Sequence, residues 1–193
     1  MRIGIDGIPL ATPKSGIGHY TFELARSLAQ LEREQDFELI APVPLELTPN
    51  GDLPPNLRAV HSPVNKWRRR WWTIGLPLYI RENALTLFHG TNYNVPLWRR
   101  CPTVVTIHDL SLLLYSDTHP EHLVRRARRR LPTMTRIARR IITDSESVKG
   151  EICAHLGVAP EKITAVPLAP RRAFRVMDEA QAVTTRQRLG VED

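Results

Sequence analysis

The hydrophobic positions of this chain follow two alternating rhythms. Short apolar runs rich in Val and Ile read as strands: Arg2–Gly7, Phe37–Pro42, Leu57–His61, Leu85–His89, Thr103–His108, Ile141–Asp144 and Ile163–Pro167. Between them apolar residues recur three and four positions apart, the period of an α-helix. These stretches are Gly18–Arg33, Trp71–Asn83, Glu121–Arg139, Ser147–Leu156 and Glu179–Leu189. In the first helix Phe22, Ala25, Leu28, Ala29 and Leu31 supply the apolar face. In the third, Leu123, Ala127, Leu131, Met134 and Ala138 fall on one stripe, with Arg125, Arg129, Arg136 and Arg140 on the opposite side. An interior Pro removes a helix hydrogen bond, so Pro132 is expected to kink or split that helix, and Pro77 weakens the helical reading of Trp71–Asn83. Gly157 stands where the Ser147–Leu156 helix needs a left-handed stop.

Strands alternating with helices predict an α/β fold. Val104, Val105 and Ile107 form a β-branched run suited to burial on both faces, as in a parallel sheet. The predicted architecture is one Rossmann-like domain over residues 1–193, a parallel sheet of about seven strands with helices on both faces. Such sheets bind ligands beyond the carboxyl ends of their strands. The segments to inspect are therefore Gly7–His19, His89–Asn94, His108–Ser111 and Asp144–Ser147.

Charge adds a second theme. The 27 Lys and Arg exceed the 20 Asp and Glu, a net charge of +7. The excess is local: Lys66–Trp72 holds four cations and no acid, and Arg125–Arg140 holds eight Arg and no acid. Without those twelve, 15 basic residues face 20 acidic ones. Two basic patches on an acidic body suggest a directed contact with something anionic. Around Arg68, Arg69, Arg70 and Trp71 the cations interleave with Trp, the composition of a membrane interface, and Arg125, Arg129 and Arg136 would extend that surface. A solvated helix face is the plainer alternative. Nucleic acid is disfavoured, because no nucleic-acid-binding motif accompanies the patches. Cys101 and Cys153 form neither a disulfide framework nor a metal spacing, which fits a reducing cytoplasm. The chain opens directly on a strand with no signal-type segment, and no apolar run nears the ~18 residues of a membrane span.

The candidate chemistry lies after the strands. Gly16 and Gly18 allow a ligand to approach backbone N–H groups at a helix start. A dinucleotide fingerprint would need a third Gly where Thr21 stands, so a nicotinamide-dependent oxidoreductase is disfavoured. A plain turn into a helix would show the same two glycines. His108 and Asp109 end the most apolar strand, where an imidazole can bind hydroxyls or phosphate. His89-Gly90-Thr91-Asn92-Tyr93-Asn94 is dense in hydrogen-bonding groups and suits sugar recognition, though a Gly- and Asn-rich turn is common. In Asp144-Ser145-Glu146-Ser147, capping of the next helix is favoured over catalysis, with Ser145 also open to a ligand. No nucleophile elbow or zinc motif occurs, and His119-Pro120-Glu121-His122 lacks further ligands, so no metal site is expected.

Taken in order, Ile5-Asp6, Gly16-Ile17-Gly18-His19-Tyr20-Thr21, Phe88-His89-Gly90-Thr91, Val105-Thr106-Ile107-His108-Asp109-Leu110-Ser111, Thr143-Asp144-Ser145-Glu146-Ser147-Val148-Lys149 and Pro160-Glu161-Lys162-Ile163 resemble the N-terminal domain of family-4 retaining glycosyltransferases of GT-B fold. The Ile-His-Asp-Leu-Ser form looks most like bacterial mannosyltransferases of cell-surface polysaccharide assembly. The resemblance implies transfer of a hexose from a GDP- or UDP-sugar to a glycan or lipid-linked acceptor, with retention and without a bound cofactor or metal. It places Gly16, Ile17 and Gly18 near the donor diphosphate and the acceptor, with His19 and Tyr20 beside them. It sets His108 against the transferred sugar, and His89, Thr91, Asn92 and Asp109 on the acceptor side. It implies peripheral docking at the inner face of the cell membrane through basic surfaces. After Ile163–Val166 the family often has an Asn-Gly turn, where this chain has Pro167-Leu168-Ala169-Pro170. The donor-binding second domain of the family is not expected within these 193 residues and would be supplied in cis or in trans. The alternative class is a non-catalytic module that binds glycan or an anionic membrane.

Overall fold

A computed structural model describes residues 1–12, 15–47, 53–62, 70–98, 100–171, 174 and 176–191. Arg68 and Arg69, expected at a basic surface, lie outside the described residues. Seven strands form one parallel sheet: β1 Arg2–Asp6, β2 Asp36–Ala41, β3 Leu57–His61, β4 Leu87–Gly90, β5 Thr103–Thr106, β6 Arg140–Thr143 and β7 Ile163–Ala165. The order is β3-β2-β1-β4-β5-β6-β7, and every neighbouring pair is parallel. The chain builds outward from β1 to β3, then returns to lay β4 on the other side of β1. That reversal opens a crevice beyond the ends of β1 and β4, where doubly wound sheets bind ligands.

Helices cover both faces: α1 Gly16–Leu31, α2 Leu76–Glu82, α3 Ser111–Leu114, α4 Glu121–Ile137, α5 Glu146–Leu156 and α6 Glu179–Leu189. Period-two alternation in β2 divides the core. Phe37 and Leu39 pack with Ile5, Phe22 and Ala25 on the α1 side, while Ile40 packs with Leu76, Ile80 and Phe88 on the α2 side. Glu38 points to the α2 side as well and is fully buried. Its carboxylate takes Arg2, Arg58 and the Tyr79 hydroxyl, the last at 2.6 Å. A third cluster joins Val105, Ile107 and Ile141 to Ala127, Leu131, Met134 and Ile152 from α4 and α5.

Several elements differ from the sequence reading for local reasons. The α1 helix begins at Gly16, because the Ser15 side chain caps it by accepting from Gly18 N–H at 3.4 Å. The glycine loop is thus the first helical turn. Trp71–Gly75 forms a π-type turn that runs into α2, and Pro77 sits in the first turn of α2, where its missing N–H costs nothing. Trp71 was expected at a membrane-facing surface; it is instead buried, packed in the cluster of Ile40, Leu76 and Phe88. An indole has too much apolar area to leave in water when a core is within reach. Pro132 neither ends nor splits α4, which runs on to Ile137. The carbonyl it orphans belongs to Arg128, an exposed residue that water can reach. The buried stripe of α4 carries Val124, and Leu123 is left 37% exposed. The short α3 has no counterpart in the sequence reading. Strand β7 stops at Ala165, leaving Val166–Arg171 as an irregular segment near α1.

Candidate functional site

The crevice floor is a connected polar network under an open cleft. At its base, the Asp6 side chain ends β1 and accepts the Ile8 N–H at 3.0 Å. Burial pushes this carboxyl up to about 7. The Thr21 hydroxyl lies 2.8 Å from that of Thr91, which donates to the Asp6 carbonyl at 3.3 Å. Thr106, at the end of β5, is a second hub: its hydroxyl lies 2.9 Å from His89 Nε2 and 3.1 Å from the Tyr20 hydroxyl. Burial, helped by the charge of His108, lowers His89 to about 4, so this imidazole is neutral at physiological pH. His89 and the Thr91 hydroxyl therefore lie beneath the floor and support it.

His108 stands on that floor. Its Nδ1 is 2.9 Å from Asp144 Oδ2, and its Nε2 is 3.0 Å from the Thr91 carbonyl. Both nitrogens thus face acceptors, which fixes the ring plane. Tyr20 packs edge-on against it at 4.9 Å between centroids, and Tyr93 at 6.0 Å. Asp144 Oδ1 is buried with no hydrogen-bond partner among the described residues. Next to His108, the exposed Asp109 turns back on itself. Its Oδ1 accepts Ser111 N–H at 2.8 Å, and its own N–H donates to the Tyr93 hydroxyl at 3.1 Å. Burial pushes the Asp109 carboxyl up. The Ser111 and Tyr93 hydrogen bonds and the charge of His108 outweigh it and hold the group below the usual carboxylate range.

Glycine and strain shape the 90–94 loop. A Cβ on Gly90 would stand 1.7 Å from the Asn94 carbonyl oxygen, so only Gly lets the chain fold back this tightly. Tyr93 sits at φ 57°, uncommon for a residue with a side chain. The Asn94 amide ties the turn to the Asn92 carbonyl at 2.9 Å.

The remaining wall comes from α1. Gly16 and Ile17 open the helix with N–H groups that have no intrahelical acceptor. Gly16 faces open space, since a Cβ there would meet nothing within 4 Å. Beside it a groove of about 520 Å³ runs between Gly16, His19, Tyr20 and Glu23 on one side and Val166–Arg171 on the other. The Arg171 guanidinium lies 3.0 Å from His19 Nε2 across it. Ser145 caps α5 by accepting Val148 N–H at 3.2 Å, next to the His108–Asp144 pair. Tyr20 of α1 thus packs on His108, with Asp109 and the Asp144–Ser145 pair beside it, while the Thr91 side chain is buried below. Arg70, Arg125, Arg129 and Arg136 are exposed elsewhere, the first just before the π-type turn and the others on α4. Among the described residues no group of acidic, His and Cys side chains could hold a metal ion.

The sequence reading missed three participants. Thr106 signalled itself only as a hydroxyl inside an apolar strand. Tyr93 lay within the His89–Asn94 segment but was not singled out, because its role needs the loop conformation; Arg171 carried no signal, since its contact spans 152 residues.

Comparisons with known proteins bear on the family and the fold. A sequence profile described as Glycosyltransferase Family 4 matches residues 14–169. The O-antigen chain mannosyltransferase B of Escherichia coli is 25% identical over 187 residues, which cover 88% of this chain and 47% of that protein. Among solved structures, HepE of Anabaena, in complex with UDP and glucose, superposes with a TM-score of 0.63 at 16% identity, over 98% of this chain and 50% of its own. WaaG, a glycosyltransferase involved in lipopolysaccharide biosynthesis, gives 0.62 at 12% identity, over 100% and 52%. The chain therefore spans about half the length of the relatives it matches. Its seven-stranded parallel sheet is half of a GT-B fold. With a family profile running from the first turn before α1 to the segment beyond β7, the chain belongs to glycosyltransferase family 4.

Proposed function

We propose that this domain is the acceptor-side wall of a retaining, sugar-nucleotide-dependent glycosyltransferase, working with a donor-binding half in cis or in trans. One observation carries the reading: in a family 4 domain, the α1 N-terminus, the 90–94 loop and the His108–Ser111 turn meet at the switch point of the sheet. The departing nucleoside diphosphate gains charge as the glycosidic bond breaks. The free N–H groups of Gly16 and Ile17 supply part of the stabilisation, and the open space at Gly16 admits close approach, with the buried Gly18 in the same turn behind them. His108 lies against the transferred hexose; Asp144 and Thr91 hold its ring so that one edge stays fixed. His19, Tyr20, Asn92, Asp109 and Ser145 meet the acceptor, while His89 and Thr91 hold the floor.

The donor is a GDP- or UDP-hexose. The Escherichia coli relative favours mannose, and the UDP-bound Anabaena structure keeps UDP in the comparison. The acceptor is a glycan or a lipid-linked sugar. The test is sugar transfer from GDP-mannose and UDP-glucose, with this chain alone and with a donor-binding half supplied. Transfer is expected only when both halves are present, because further cations must balance the leaving diphosphate. Turnover by the 193-residue chain alone, or none with both halves, overturns the reading.

A second reading has its own observation. Arg70, Arg125, Arg129 and Arg136 are exposed and belong to two cationic runs outside which the chain is net acidic. Such a surface suits docking on an anionic membrane, at the inner face of the cell membrane.

A further inference from the structure

The arginines of α4 are not alike. Arg125 pairs with Glu121 one turn away, at 2.9 Å. Arg126 and Arg130 stand one turn apart on another face and have no carboxylate or hydrogen-bond partner among the described residues. Two like charges at this spacing repel and weaken a helix. Arg130 is also half-buried; desolvation lowers its pKa, and the charge of Arg126 pushes the same way. A helix that tolerates this arrangement leaves two guanidiniums poised for a shared anion.

Their surroundings fit that purpose. Both line a cavity of about 230 Å³ whose opposite wall is Asn92, Tyr93 and Asn94, with Leu112 and Leu123 alongside. The 92–94 turn separates this cavity from the crevice. On its other side Tyr93 packs against His108 and receives the Asp109 N–H. A molecule reaching over the turn would place one end beside His108 and the other between the arginines. Arg130 also lines an adjoining cavity of about 390 Å³ with Arg70, Arg129 and Trp72, so the cationic path continues away from the crevice.

We propose that Arg126 and Arg130, with the Asn92 and Asn94 side chains, form a subsite for a phosphate group carried by the acceptor. The subsite rests on the acceptor-side reading above and names the acceptor class, a sugar bearing phosphate or pyrophosphate. Guanidinium forks match phosphate oxygens two at a time, and side-chain amides donate to those left over. The phosphate can belong to a soluble phosphoglycan or to a lipid-linked sugar. In the second case the leucines would meet the first carbons of the lipid.

The test is binding of inorganic pyrophosphate and of farnesyl diphosphate to the full chain, followed by NMR shifts and titration. The expected result is perturbation at Asn92 and Asn94. Arg126→Gln and Arg130→Gln each weaken pyrophosphate binding about tenfold or more. Arg130→Lys restores part of the loss, and Arg128→Gln, a surface reference outside both cavities, changes nothing. Tighter binding of farnesyl diphosphate than of pyrophosphate assigns the phosphate to a lipid; equal binding assigns it to a soluble glycan. Shifts confined to Gly16–Gly18, unchanged affinity in both glutamine variants, or an equal loss in Arg128→Gln overturns the subsite. Capture by phosphatidylglycerol vesicles without pyrophosphate binding also overturns it, in favour of a membrane surface. Because this readout needs no turnover, its failure is separable from failure of the transfer experiment.

Discussion

At the scale of single residues, the site is built on two buried groups that resist ionisation in opposite senses. Asp6 is raised from 3.8 to about 7 and His89 is lowered from 6.5 to about 4, both chiefly by burial. For Asp6 the native state resists losing the proton. The stability it contributes is complete below about pH 4 and is lost as pH rises to about 7. For His89 the native state resists gaining one. Its contribution is complete above pH 6.5 and is lost as pH falls to about 4. The windows overlap and the signs oppose, so the wild-type chain should show a flatter stability profile than either single variant. In Asp6→Asn only the histidine remains, and stability should drop by about 3 kcal/mol from pH 7 to pH 4. In His89→Gln only the aspartate remains, and stability should drop by about 4 kcal/mol from pH 4 to pH 8. Urea unfolding at four or five pH values checks both; parallel profiles in all three proteins would refute the assignment. The positions of both residues were legible as polar groups at strand ends. Their burial was not, because it depends on Thr21, Thr91 and Thr106 closing over them from other elements.

At the scale of elements, α4 shows where propensity yields to packing. Pro132 reads as a break, yet Val124, Ala127, Leu131 and Met134 form one continuous buried stripe, the last three packed with Val105 of β5 and Ile152 of α5. The apolar area gained on both sides of the proline outweighs one lost hydrogen bond. The unused carbonyl of Arg128 is on the wet side, which limits the cost. Pro132→Ala restores the missing donor and should raise stability by about 1–3 kcal/mol, read as a higher Tm. A lower Tm would mean that the half-buried ring contributes more by packing than it costs in the helix. The helix α1 makes the complementary point. Its apolar face was plain from spacing at Phe22, Ala25 and Ala29, but Leu31, read with them, falls off that stripe and is 78% exposed, and the first turn was not legible. Ser15 draws the helix back to Gly16, and this aims Gly16 and Ile17 at the crevice.

At the scale of the whole molecule, charge and topology separate two surfaces. The crevice lies beyond the strand ends, and the exposed arginines lie just before the π-type turn and on α4. If the latter dock on a membrane, the chain should float with phosphatidylglycerol liposomes at low salt and not with phosphatidylcholine ones. Reversing Arg125, Arg129 and Arg136 to Glu should abolish flotation, and about 0.5 M salt should weaken it. Flotation that survives the reversal would remove this surface from consideration. Among the described residues no helix is long and apolar enough to cross a membrane. A membrane contact by these residues would therefore be peripheral. The Trp content near Arg70 adds less than composition suggests: Trp71 is core, and Trp72 packs edge-on against Phe88 at 6.4 Å.

The sequence by itself determined the class of fold and the strand ends at which chemistry would lie. Period-two and period-3.6 patterns are local, and a parallel sheet places every strand end on one edge. Tertiary structure alone decided which polar groups face the crevice and which support it. His89 and His108 look alike in sequence, each at the end of a strand. One is 5% exposed beneath Thr106, and the other stands above with Asp144 and Thr91 at its two nitrogens. It also decided that Arg126 and Arg130, two of eight arginines in one run, share a cavity with the 92–94 turn. Such roles depend on distances between residues far apart in the chain, and no local pattern encodes them.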